Sequence, residues 1–473
     1  MKILKNYLYN MSYQIIAIIL PFITVPYISR VLGADAVGIN SYTNAIITYF
    51  VLIANVGLTV YGNRTISYTR DSIYKRSQKF WEIVLIKWIM ATISFFLFFM
   101  FVNFYGRYSN FLMWQSIQIF AAVFDISWLY TGLEDFKKTV TRNIIVKVAS
   151  AALILLFVKN QGDLTLYIVI VASSTLFGNL TMWTYLRKLI VPIKLRDISL
   201  IPHIIPVFAL FVPQLASQLF MTLNKLMLGN LSTISQTGYF DNADKIVRIL
   251  LTAITAVGTV IFPRLANSFK NNDINKIEKY MKLSFDMVSL ISIPVTFGLI
   301  SISESFSNIY FGKGFQGIDA TLSVLAIELI FMGWSTVFGN QFLVAIDKVK
   351  GLTISVILAT VVLLLTTNIL IPMYGSKGAA ASSVLGEMTI ALIQLFFVKK
   401  YINLLPIFKD FYKFLLSGIV MFLCCNFVSH LIPNDLLNIA FQIVLGGIIY
   451  FVLLYILKPK ILNIREVKNS FLN

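Results

Sequence analysis

Charge is what this 473-residue chain has least of: Asp, Glu, Lys and Arg together make up 13% of it. A soluble protein carries roughly 25%. With 58% hydrophobic residues and a mean hydropathy of +0.80, the chain has too little polar surface to clothe a water-borne globule. Histidine is almost missing, with only His203 and His430, and the two cysteines, Cys424 and Cys425, are neighbours inside an apolar run. Neither type falls at metal-ligand spacing, and cysteines so placed read as packing residues. No Gly-rich phosphate loop is present, which excludes ATP hydrolysis by a motif of that kind. Long polar segments are missing too, so a large soluble catalytic domain hung on an anchor is excluded.

What is there is apolar length. A bilayer-crossing helix needs about 20 mostly apolar residues. The sequence predicts about fourteen such spans: 9–29, 38–61, 81–104, 111–132, 144–160, 164–186, 203–227, 238–262, 282–302, 320–342, 352–373, 379–398, 411–431 and 439–457. These runs are too long and uniform for barrel strands. Lipid also admits only closed backbone hydrogen bonding. The expected fold is therefore an all-α polytopic membrane protein. Met1 to Asn10 carries two lysines and flows into the first span with no small-residue cleavage site, so it reads as a retained span.

The net charge of +18 would suggest nucleic acid in a soluble protein. In a membrane protein, Lys and Arg gather in the cytoplasmic connections instead, and no nucleic-acid partner is expected. With the N-terminus inside, the even-numbered connections and the two tails hold about 29 basic residues, Lys2, Lys5, Arg465 and Lys468 among them. The outside connections hold Arg30, Arg107, Lys159, Lys313 and Lys377. Both termini are expected in the cytoplasm.

The two halves echo one another at a displacement near 200 residues. Ala172-Ser173-Ser174 in span six resembles Ala381-Ser382-Ser383 in span twelve, and Asn44-Ala45 resembles Asn242-Ala243. Arg30 before Leu32-Gly33 corresponds to Lys225 before Leu228-Gly229. Six spans per repeat is an even number, so both halves insert the same way up, as in transporters with parallel repeats. The expected organisation is an N-terminal six-helix lobe over 1–200, a second over 201–400, and two additional helices with a cytoplasmic tail over 401–473.

Ionisable groups inside spans are costly and face a cavity or a partner. The densest set is Asp241, Asp244, Lys245 and Arg248 in span eight, on neighbouring helical positions. Two readings stand: the acids and bases neutralise each other, or the face lines a polar cavity and contacts an anionic ligand. Lys225 has no acid within a turn, and Gln214, Gln218 and Asn224 precede it on span seven. Here the alternatives are a polar cavity and snorkelling to the outer surface. Arg30 poses the same choice, and its correspondence with Lys225 favours a paired cationic site. Asp125, Glu328 and Glu387 are single acids, each a candidate for coupling to H⁺ or Na⁺ or a structural hydrogen-bond partner. Lys87 and Lys147, near the inner ends of their spans, are expected to snorkel.

The run Pro21-Phe22-Ile23-Thr24-Val25-Pro26-Tyr27-Ile28-Ser29-Arg30-Val31-Leu32-Gly33, with Val37-Gly38 and Ser41-Tyr42, resembles the Wzx-type polysaccharide flippases. These belong to the multidrug/oligosaccharidyl-lipid/polysaccharide superfamily. Gly238-Tyr239-Phe240-Asp241-Asn242-Ala243-Asp244-Lys245-Ile246, then Pro263-Arg264-Leu265, resembles their span-eight region. The resemblance implies an alternating-access transporter in the bacterial cytoplasmic membrane, with two six-helix lobes around a central cationic cavity. Its implied substrate is an undecaprenyl-diphosphate-linked oligosaccharide repeat unit for O-antigen, capsule or a related surface polysaccharide. Arg30, Lys225, Lys245 and Arg248 would hold the diphosphate. Gln214, Gln218, Asn224, Asn44 and Asn55 would line the sugar's path. Asp241 and Asp244 join Asp125, Glu328 and Glu387 as coupling candidates. Partners would be membrane lipids, a coupling ion, and polysaccharide polymerase and chain-length proteins; no cofactor is implied. The competing readings are a cation-coupled small-molecule exporter of the same superfamily, a peptidoglycan-precursor flippase, and a membrane polymerase. The last would need a larger external loop than any seen here.

Overall fold

The computed structural model describes residues 2–271, 273–429 and 431–462, with side chains from Ile16 on except those of residues 195, 257, 259 and 260. His430, Arg465 and Lys468 lie outside the described residues, as do the side chains of Lys2 and Lys5. Among the described residues every regular element is a helix, the one solution open to a chain whose backbone must satisfy itself in lipid. Among the described residues twelve helices are long and apolar enough to cross a membrane, and Ile234–Lys270, bent by 49°, adds a thirteenth. The first of the twelve, Ile16–Thr69, takes in the expected span 38–61 and most of the expected span 9–29. The protein is a multi-pass membrane protein, and it divides into two compact units, Met1–Thr222 and Leu223–Asn473.

In the first unit, α1 (Lys2–Asn55) has 54 residues. As one straight rod it would measure about 80 Å against a hydrocarbon core of about 30 Å. Gly33, at φ 76° and ψ 175°, interrupts it, in a backbone region essentially reserved for glycine. α2 (Leu58–Thr69) follows, then α3 (Ile73–Tyr105), whose first turn is capped by the Ser72 side chain accepting from the Lys75 N–H. The expected fourth span is broken into α4 (Ser109–Gln115), α5 (Ile117–Val123) and α6 (Ser127–Gly132). α7 (Phe136–Phe157) and α8 (Leu164–Trp183) pair with each other, and α1 packs on both α3 and α7. The buried centre gathers Ile66, Phe80, Ile83, Trp128, Tyr130 and Met182. Trp128 fits because Gly62 offers no side chain: a Cβ there would lie 2.6 Å from the indole. The unit boundary falls within α9 (Ile201–Leu231).

The second unit continues with α10 (Ile234–Lys270), whose bend precedes Pro263, a residue that leaves the carbonyl four positions earlier without its helical donor. α11 (Ile274–Tyr310) is capped by the Asp273 side chain. α12 (Ile318–Ala326) and α13 (Glu328–Ser335) run into a π-helical segment, Thr336–Leu343. Such segments recur at functional sites; here Gln341 accepts the Ser284 hydroxyl at 2.6 Å. α14 (Val349–Tyr374) and α15 (Ser376–Val398) pair closely. The short α16 (Leu405–Phe408) leads to α17 (Phe411–Ser429) and α18 (Asp435–Leu457), both packed on α11 around Ile293, Phe414, Met421 and Tyr450. Opposite these contacts α14 exposes Leu358, Val361, Leu365 and Ile369, and α18 exposes Val444, Phe451 and Tyr455. Faces this apolar suit lipid and not water.

Candidate functional site

The second unit holds a polar cluster where the helical periodicity of α10 meets residues from three other helices. Asp241, Asp244, Lys245 and Arg248 follow one another at helical spacing, so Lys245 reaches Asp241 at 2.6 Å and Arg248 reaches Asp244 at 2.8 Å. From α9, Lys225 donates to Asp241 at 2.6 Å and lies 3.5 Å from Asp244. Beside it, Asn224 donates to the Ser383 hydroxyl of α15 at 2.6 Å, and Ser383 also hydrogen-bonds Glu328 at the head of α13. Glu328 and Glu387 both lie within electrostatic reach of Arg248. All four carboxylates are buried, Glu328 at 2% exposure and Asp244 at 4%. The cluster thus has four acids and three cations, one carboxylate more than its positive charges when all are ionised. Burying such charges is tolerable only through this mutual pairing.

Lys225, with no acid within a turn of its own helix, meets two carboxylates from the next one. This arrangement places Asn224, Lys225, Asp241, Asp244, Lys245, Arg248, Glu328 and Glu387 in one network. The remaining expected residues lie in the first unit. Arg30 is exposed on the first arm of α1. Asn44, also exposed, accepts from Gln118 at 3.1 Å. Gln214 and Gln218 are half-buried on α9, and the Gln218 carbonyl accepts the Thr222 hydroxyl at 2.8 Å. The Asn55 side-chain oxygen is buried with no hydrogen-bond partner.

Asp125 is held in the first unit by the Ser127 N–H at 2.9 Å. Lys87 does not snorkel: it is fully buried and donates to the Asp125 backbone carbonyl at 2.6 Å. That carbonyl, past the end of α5, and the nearby Asp125 carboxylate give the ammonium an acceptor and a counter-charge inside the bundle.

Two further networks escaped the reading of the sequence. Glu82, at 0% exposure, lies 2.7 Å from His203 Nε2, pairs with Lys79 at 2.7 Å and accepts the Ser199 N–H at 3.0 Å. The other ring nitrogen of His203 meets the Tyr61 hydroxyl at 2.6 Å. In the second unit Lys282 bridges Asp286 at 3.1 Å and Asp410 at 3.2 Å, and Lys413 pairs with Asp410 at 2.7 Å. A carboxylate at the edge of each apolar run was the available signal. Among the described residues no group of three or more His, Cys, Asp or Glu is placed to hold a metal ion.

The chain matches the family described as Polysaccharide biosynthesis protein over residues 3–269. It is 22% identical over 408 residues to a protein of Escherichia coli (strain K12) named for O-antigen transport, covering 84% of this chain and 96% of that one. A Haloferax volcanii protein, Agl15, named for flippase activity in low-salt glycan biosynthesis, is 24% identical over 235 residues, 49% of either chain. In fold the chain is similar to the lipid II flippase MurJ in an inward closed conformation, with a TM-score of 0.76 at 16% identity over 96% of this chain and 98% of that one. An inward-facing multidrug resistance transporter of the MATE family in the MOP superfamily gives a TM-score of 0.63 at 16% identity, over 84% and 94%.

Proposed function

We propose, for a chain that belongs to the polysaccharide biosynthesis protein family, that it is a flippase carrying lipid-linked oligosaccharides across the bacterial cytoplasmic membrane by alternating access, with both termini cytoplasmic. The substrate class is an undecaprenyl-diphosphate-linked repeat unit, and the chain moves it without making or breaking a covalent bond. The observation that carries this reading is the network of four buried carboxylates and three partly buried cations within membrane-spanning helices. The near-complete coverage of the O-antigen relative supports it.

A diphosphate cannot enter hydrocarbon bare, and Lys225, Lys245 and Arg248 offer it charge-assisted hydrogen bonds. Those cations are already held by Asp241 and Asp244. The substrate must therefore displace carboxylates, and a carboxylate that has taken up H⁺ or Na⁺ gives up its cation more readily. Ion uptake and substrate binding are linked through one network, and linkage of this kind is reciprocal. Glu328 and Glu387, within reach of Arg248, belong to the same exchange. Arg30, Gln214, Gln218, Asn44 and Asn55 remain proposed contacts for the substrate, and Asp125 a second coupling candidate. Polymerase and chain-length proteins would take the delivered repeat unit.

Depleting the protein in its host, then profiling lipid-linked sugars by mass spectrometry with leaflet-specific labelling, tests the reading. A complete diphosphate-linked repeat unit trapped on the cytoplasmic side is the expected result. Repeat units reaching the outer leaflet unpolymerised would replace the flippase with a polymerase. Unchanged lipid-linked sugars would replace it with a small-molecule exporter, a role that the MATE relative in fold bears in its name.

A further inference from the structure

Away from the ion-pair network, α7 and α8 of the first unit enclose a trough of about 770 Å³, within the range of small-molecule sites. One end is basic: Lys137, Lys138 and Arg142 line it with Asp135. Lys138 is shared, 2.9 Å from Asp135 and over the rings of Tyr130 and Tyr185. Lys137 is exposed. Arg142 donates through one terminal nitrogen to Asn179, while its Nε is buried with no hydrogen-bond partner. The mouth thus has two positive charges in excess and an unspent buried donor. Beyond it the walls turn mostly apolar, through Ile145, Val146, Ala149, Leu153 and Phe177, with Ile145 and Phe177 more than half exposed. From Arg142 to Leu153, α7 rises about 16 Å, the hydrocarbon depth of a single leaflet.

We infer that this trough binds an anionic phospholipid, its phosphate at Lys137 and Arg142 and one acyl chain along Ile145, Ala149, Leu153 and Phe177. Basic pockets between membrane helices recognise anionic headgroups in this way. The one-leaflet depth and the mostly apolar wall past Arg142 suit a lipid that stays in its leaflet, not a sugar crossing the bilayer. Which leaflet supplies it rests on the proposed orientation, which makes this the cytoplasmic one; the site itself does not depend on that reading or on transport.

The test is native mass spectrometry of the detergent-purified full chain with equimolar phosphatidylglycerol and phosphatidylcholine. Phosphatidylglycerol should be retained and phosphatidylcholine lost. Lys137→Glu should lower retention at least fivefold, the weight of one basic group facing an anionic lipid. Ala149→Trp, which fills the trough and leaves every charge in place, should do the same. Equal retention of the two lipids overturns the inference, as does parental retention by both variants. Preferential binding of undecaprenyl phosphate over phosphatidylglycerol overturns it too, by making the trough part of the substrate's route. The depletion experiment reads transport separately, so either reading can fail alone.

Discussion

Replacing Lys225 with Met keeps the length of the side chain but removes the ammonium that lies 2.6 Å from Asp241 and 3.5 Å from Asp244. Stripping one partner from a buried pair costs about 3–5 kcal/mol. Here the stranded charge is shared, because Asp241 keeps Lys245 at 2.6 Å and Asp244 keeps Arg248 at 2.8 Å. The expected loss is therefore smaller, about 2 kcal/mol. Adding Asp241→Asn returns the network to the net charge of the parent. Lys245, at 36% side-chain exposure, can then turn to water, so the double variant should regain about half of the loss, a coupling of about 1 kcal/mol. Equilibrium unfolding of all four proteins in mixed micelles measures the cycle. A Lys225→Met protein as stable as its parent, or a coupling of zero, would refute the argument that this pair fastens α9 to α10. Transport then separates structure from function: if Lys225 also holds the diphosphate, the double variant is stable and inactive.

Glu82→Gln keeps volume while replacing the charged acceptor that His203, Lys79 and the Ser199 N–H share. A loss of about 2 kcal/mol is expected, read as faster hydrogen–deuterium exchange around residues 79–86 and 199–205 with α10 unaffected. Gly33→Ala has room, the added carbon lying 3.7 Å from Gln161 Nε2, so its cost is conformational alone. About 1–3 kcal/mol is expected, and an unchanged unfolding midpoint would mean that glycine does not set the break in α1.

Span existence was legible because lipid imposes one backbone solution and a minimum apolar length. Helix ends were less so. α3 begins at Ile73 where the apolar run begins at 81, and α11 begins at Ile274 where the run begins at 282. Hydropathy sees only the part that needs lipid, while the helix continues as polar turns back to the caps Ser72 and Asp273. The break at Gly33 was hidden for the opposite reason, since apolar residues flank a glycine whose φ no pattern reports. Within the site, the pairs along α10 follow from spacing, because both partners ride one helix. The acids on Lys225, the Ser383 bridge and the approach of Glu328 and Glu387 to Arg248 are tertiary. Spacing could mark those residues as costly in lipid but could not say which would meet. Glu82 was masked by Lys79 three residues before it, which makes a buried carboxylate look like half of a local surface pair.

The pairing also explains why a transporter of an anionic headgroup would not keep a bare cationic cavity. An unpaired ammonium or guanidinium in a low-dielectric span carries a desolvation penalty of several kcal/mol, payable by every molecule in every empty state. Internal carboxylates remove that penalty when no substrate is present. They also set a threshold: a ligand must offer the cations at least what Asp241 and Asp244 already do. A diphosphate, with more acceptor oxygens than a carboxylate, meets it; a neutral sugar or a lone carboxylic acid does not. The surplus carboxylate then has a consequence for coupling. With all four carboxylates ionised, one added H⁺ or Na⁺ would bring the empty network to neutrality, and on the proposed cycle each cation handed to the diphosphate would leave a carboxylate needing another. On the proposed transport cycle, ion occupancy would then rise as substrate binds, whichever of the two ions is used.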